Sequence, residues 1–97
     1  MSAAARHRFL AELFAGLKAK SFAELAAMPE RSAVKAPAVF KNWKFAVLLT
    51  RISPKKIEVT LQARFDYPEG DASMSNYTFR MSSNGRIQED AFVDPED

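Results

Sequence analysis

From Lys56 to Tyr67 the chain reads KIEVTLQARFDY, in which Ile57, Val59, Leu61, Ala63, Phe65 and Tyr67 alternate without a break with Glu58, Thr60, Gln62, Arg64 and Asp66. Only an extended backbone sends successive side chains to opposite sides, so the run predicts a strand with one face in an apolar core and the other in water. The same residues wound as a helix would scatter their apolar members around its whole circumference. The period of two recurs in Trp43, Phe45, Val47 and Leu49, ahead of a Ser53-Pro54-Lys55-Lys56 turn. It recurs again in Tyr77, Phe79 and Met81, set against Thr78 and Arg80.

Asn84-Gly85 marks a further hairpin, and register selects its geometry. A two-residue loop would pair Ser82 with Ile87 and turn the isoleucine to the polar face. A loop of Ser83, Asn84 and left-handed Gly85 pairs Met81 with Ile87 and sends both to the core, which is the expectation adopted. A last strand is expected over about 86–93, weakened by Gln88-Glu89-Asp90, and the acidic DPED at 94–97 follows it as a tail.

Ahead of the strands the period is helical. Phe9, Leu10, Leu13, Phe14 and Leu17 fall on one side of an amphipathic helix, with Arg6, Glu12 and Lys18 elsewhere on the wheel. Ser21 followed by Glu24 matches a capping box opening a second, short helix that Pro29 ends. Residues 29–38, PERSAVKAPA, hold two prolines and no periodicity and are expected to be a connector. The expected architecture is α+β: two N-terminal helices, over about 3–28, packed on one face of a four-stranded antiparallel β-meander. Ninety-seven residues suit one domain, because a chain of this size buries only about 60–65% of its unfolded surface.

One stretch invites a functional reading. KNWKFAV, residues 41–47, resembles the aromatic strand of the RNA-recognition motif, which places a basic residue, a small residue and alternating aromatics before a valine. It departs at Asn42, where the motif has glycine, and at Lys44, where it has a small residue. The order of elements also departs, since that fold begins with a strand. Parity decides further: Trp43 and Phe45 share a face with Val47 and Leu49 and belong under the helices, away from any base.

The opposite, outer face is expected to carry Lys44, Arg64, Arg80, Thr60 and Thr78, a basic and hydroxyl-rich surface suited to an anion or an acidic partner. The first long strand adds an apolar stripe to that face, Phe40, Leu48 and Ile52, with no evident cover within the chain. Charge is divided along the sequence: residues 1–65 hold twelve Lys/Arg against four Asp/Glu, and residues 66–97 hold two against eight. Such a division fits a basic body with an acidic tail, or two segments that neutralise each other in the fold.

Nucleophilic and metal chemistry find few parts. Cysteine is absent and His7, the one histidine, lies between Arg6 and Arg8 off the apolar stripe. Glu58 and Asp66 share a face but stand eight residues apart, about 26 Å along a strand, too far to cooperate in hydrolysis. No glycine-rich phosphate loop, cofactor motif or membrane-length apolar run is present. The expectation is a cytoplasmic, non-enzymatic protein-interaction module without a cofactor, self-associating as a homodimer through Phe40, Leu48 and Ile52. The alternative is an anion or nucleic-acid binder using Lys44, Arg64 and Arg80.

Overall fold

A computed structural model describes residues 3–89 of the protein. Helix α1 spans Ala3–Lys18 and α2 Phe22–Ala26. Strands β1 (Arg31–Val34), β2 (Trp43–Ser53), β3 (Lys56–Asp66), β4 (Ala72–Ser82) and β5 (Ile87–Glu89) follow. They form one antiparallel sheet in the order β1-β2-β3-β4-β5, each strand paired with its neighbours in sequence. The chain is thus α+β, as its periodicities imply, with a fifth strand where a connector was expected.

That fifth strand is β1, cut from RSAV in the middle of the supposed connector. Pro29 and Pro37 flank it and neither interrupts it. Four residues are too few to display a period, and only Val34 among them is a sizeable apolar side chain, half-buried against the core. Pairing with β2, from Arg31↔Leu48 to Val34↔Phe45, is what makes the segment a strand. At the other edge β5 covers Ile87–Glu89, and the remainder of the expected last strand and the acidic tail lie outside the described residues.

The helix-side face of the sheet is apolar as its alternation demands. Phe45, Val47, Leu49, Ile57, Val59, Leu61, Ala63, Phe79 and Met81 are buried, and no polar or charged residue is buried among those described. Helix α1 lies across this face and contributes buried Leu10 and Leu17. Its Phe9 sits 5.0 Å from the Phe45 ring, while Phe14 meets Phe79 edge-on at 5.5 Å, so one helix bridges β2 and β4. Such tilted ring pairs add to the area they bury because the positive ring edge meets a negative face.

Helix α2 has five residues, too short to persist without local fixings. Its start is the capping box read from the sequence: Glu24 N–H donates to Ser21 Oγ at 3.1 Å, and Ser21 N–H donates to Glu24 Oε1 at 3.0 Å. Leu25, fully buried, plugs it into the core. Its far end is tied by Arg51 of β2, whose guanidinium donates to Ala26 O at 2.6 Å and Met28 O at 3.2 Å. A cation there satisfies carbonyls that a helix end leaves free and opposes the negative end of its dipole.

Turn chemistry follows the register argument at Gly85, which has φ +86°, with Met81 paired to Ile87. Met81 is buried; Ile87 points the same way but, on edge strand β5, is 37% exposed rather than in the core. The β2–β3 hairpin turns at Pro54-Lys55, and the register slips between Arg51 and Ser53, leaving Ile52 unpaired in a bulge.

Candidate functional site

The outer face of the sheet is built in rows by the register. Arg31, Leu48, Thr60 and Thr78 stand side by side across β1 to β4, as do Ala33, Ala46, Gln62 and Asn76. Lys44, Arg64 and Met74 make the row nearest the β1–β2 loop, and Thr50, Glu58, Arg80 and Gln88 the row towards the other end. Four of the five residues expected on a basic outer surface therefore fall in adjacent pairs: Lys44 beside Arg64 and Thr60 beside Thr78, while Arg80 stands apart.

The polar members bond across the strands. Thr60 and Thr78 hydroxyls lie 2.9 Å apart, and the Gln62 amide donates to Asn76 Oδ1 at 3.4 Å. Arg80 Nε donates to Glu58 Oε2 at 3.0 Å. Arg64 Nε donates to Asp66 Oδ1 at 2.7 Å, with Lys44 Nζ 3.6 Å from the other carboxylate oxygen. The Arg64 hydrogen bond, helped by the charges of Arg64 and Lys44, holds the Asp66 carboxyl below its ordinary pKa despite some desolvation. Lys18–Glu89, Lys44–Asp66 and Arg64–Asp66 each join a base before position 66 to an acid at or beyond it, while Arg80–Glu58 pairs the two segments the other way round. The divided charge of the sequence is thus partly neutralised within the fold.

Beside this lattice lies a groove of about 760 Å³, open to solvent. Arg31, Lys44 and Arg64 supply its cations, Ala33, Ala46 and Gln62 its floor, and residues 36–38 of the β1–β2 loop one wall. Arg31 has no acidic partner among the described residues. Nothing in the sequence marked it, because its membership of the face depends on β1 being a strand. A second, smaller recess of about 360 Å³ gathers Lys56, Arg80 and Arg86 at the opposite end.

The apolar stripe does not assemble. Phe40 lies in the loop before β2, outside the strand parity that placed it on the outer face, and is 7% exposed. Its ring packs 5.0 Å from Phe9 and 6.1 Å from Phe45, covered by the chain's own helix. Leu48 is half-buried in its row, and Ile52, 49% exposed, sits at the bulge away from it. Trp43 differs from expectation in degree: it is half-buried, stacked on Phe45, and its ring carries the Arg6 guanidinium at 4.6 Å. That cation–π contact and the half-exposed ring were not readable from strand parity.

His7 is exposed on α1. Among the described residues no three His, Asp or Glu side chains gather as a metal site, and no helix is long and apolar enough to cross a membrane. No protein-family profile, curated protein or solved structure matches the chain.

Proposed function

We propose that the protein is an interaction module that takes an acidic partner on its outer sheet face, at the groove between β1 and the Lys44–Arg64 row. The observation that supports this most directly is the groove itself: three cations around a ligand-sized cleft, with no acidic partner for Arg31 among the described residues. A continuous phosphate track is less well served, because Glu58 and Asp66 interrupt the basic surface at both ends of β3. Base stacking on Trp43 is opposed by Arg6, which already lies over that ring.

Fluorescence anisotropy with a labelled polyglutamate peptide, against single-stranded and duplex oligonucleotides of equal charge, tests the reading. The peptide is expected to bind at low salt, to weaken as salt screens the contact, and to weaken further on Lys44→Glu. Binding of the oligonucleotides alone would move the assignment to nucleic acid, whose affinity falls more steeply with salt. No binding of either at low salt ends both.

Self-association through the sheet is the second reading. With Phe40 in the core it rests on Leu48 and exposed Ile52 alone, and sedimentation at high micromolar concentration tests it on Ile52→Lys against the unaltered chain.

A further inference from the structure

The groove runs out at β1, the first strand of the sheet, and the hydrogen-bond phase of β1 is fixed by its pairing with β2. Leu49 N–H donates to Glu30 O at 2.8 Å, so positions 30 and 49 form a hydrogen-bonded pair. Antiparallel pairs alternate, which makes Ser32/Val47 and Val34/Phe45 the next bonded pairs and Arg31/Leu48 and Ala33/Ala46 the non-bonded ones. The phase is corroborated across β2, where Asp66 N–H donates to Asn42 O at 3.0 Å, so the even residues of β2 bond to β3 and the odd ones remain for β1. Arg31 and Ala33 therefore aim both N–H and C=O away from the sheet. The described residues give these groups no other partner, and both residues are exposed.

Side-chain parity on this edge matches the charge of the groove. A residue directly opposite Arg31 or Ala33 on an added antiparallel strand would share their face, the outer one, beside the Arg31 guanidinium and the groove with Lys44. A residue opposite Ser32 would point to the helix side, where Val34 is half-buried against the core. Resting on the reading of the groove as a site for an acidic partner, we propose that β1 accepts an extended acidic polypeptide segment as a sixth, antiparallel strand. Its acidic residues alternate with apolar ones, the former outward over the groove and the latter towards the helices. Strand addition of this kind takes affinity from main-chain bonds and selectivity from alternate side chains. Charge favours this occupant over a second copy, since the same edge of a copy would bring Arg31 and Lys35 to a surface already lined by Arg31, Lys44 and Arg64.

The experiment uses a labelled octapeptide of alternating glutamate and valine, and two versions N-methylated either on the glutamates or on the valines. All three carry the same charge. In the proposed register the glutamate N–H groups face Arg31 and Ala33, so methylating them should weaken binding tenfold or more while methylating the valines leaves it within about twofold. Amide exchange should slow at Arg31 and Ala33 when the unmodified peptide is added. Ala33→Pro removes an N–H that the internal ladder does not use and should likewise abolish binding in a variant that stays folded. Equal binding of all three peptides, with no protection at Arg31 and Ala33, overturns strand addition while leaving the acidic-partner reading intact. No binding of any peptide at low salt overturns both. A dimer in the absence of peptide that Ala33→Pro converts to monomer assigns the edge to a second copy and overturns the proposal.

Discussion

Phe40 and Phe79 set the scale of what single side chains contribute. Phe79 is fully buried in the centre of the sheet and meets Phe14, so Phe79→Ala is expected to cost about 3–5 kcal/mol in urea unfolding. Phe40→Ala should cost nearly as much, about 3 kcal/mol, because its ring is held between Phe9 and Phe45. If Phe40 formed an intermolecular surface, the same substitution would change association state with little loss of stability, so the two measurements made together separate the placements. Val39, its neighbour and 67% exposed, should tolerate alanine within about 0.5 kcal/mol. Two carboxyls give acid sensitivity. Glu24 is held below its ordinary pKa by hydrogen bonds to the Ser21 backbone and then to its side chain, and Asp66 by the Arg64 hydrogen bond first and the Arg64 and Lys44 charges after it. Folding lowers both values, so the unfolded chain binds more protons, and the stability they contribute is present above the ordinary carboxyl range and lost as pH falls through the lowered values. The urea midpoint should therefore fall below pH about 4, and fall less in a Glu24→Gln, Asp66→Asn double variant. Asp66→Asn at neutral pH also releases Lys44 and Arg64 and should tighten the acidic peptide by about two- to fivefold, the size expected for freeing exposed ion-pair cations.

Elements that state their own period were legible, and those that borrow their shape were not. β3 is readable because eleven residues alternate without exception, and β4 because Tyr77, Phe79 and Met81 do so next to a turn signal. The start of α2 was legible from Ser21 and Glu24, since the cap is a local bond between residues three apart. Ser21→Ala should cost about 1 kcal/mol. Its other end depends on Arg51, twenty-five residues from Ala26, and no local rule announces such a partner. Arg51→Ala is expected to raise amide exchange across Leu25 to Met28 while leaving β3 and β4 unchanged. β1 is not legible for the same reason: the backbone of Leu49 and its neighbours makes RSAV a strand, and the groove that depends on Arg31 is hidden with it. The parity of β2, extended past its first residue, puts Phe40 on a surface, but the backbone turns through Asn42 at φ +66° and carries its ring into the core. Gly85 is legible because only one loop arrangement puts Ile87 on the same face as Met81, and Gly85→Ala should cost about 1–2 kcal/mol in urea unfolding for the left-handed backbone it must keep.

At the scale of the molecule the two faces of the sheet have separate work. The helix side carries the apolar packing, and the outer side carries a bonded polar lattice in which Arg31, beside the β1 edge, has no acidic partner among the described residues. Substitutions outward of β3, such as Gln62→Ala, should change binding of the test peptide while leaving the urea midpoint nearly unmoved, whereas Leu61→Ala next to it should do the reverse. The strand order has a consequence in time. Every ladder joins neighbours in sequence, through loops of eight, two, five and four residues, so the sheet can close hairpin by hairpin without waiting for distant segments to meet. Chains rich in such short-range closures reach the native state in about milliseconds or less. The longest search among the described elements falls to α1, whose Phe14 must find Phe79 on β4. In stopped-flow refolding, Leu61→Ala should therefore slow the approach to the native state, and Phe14→Leu should chiefly hasten escape from it.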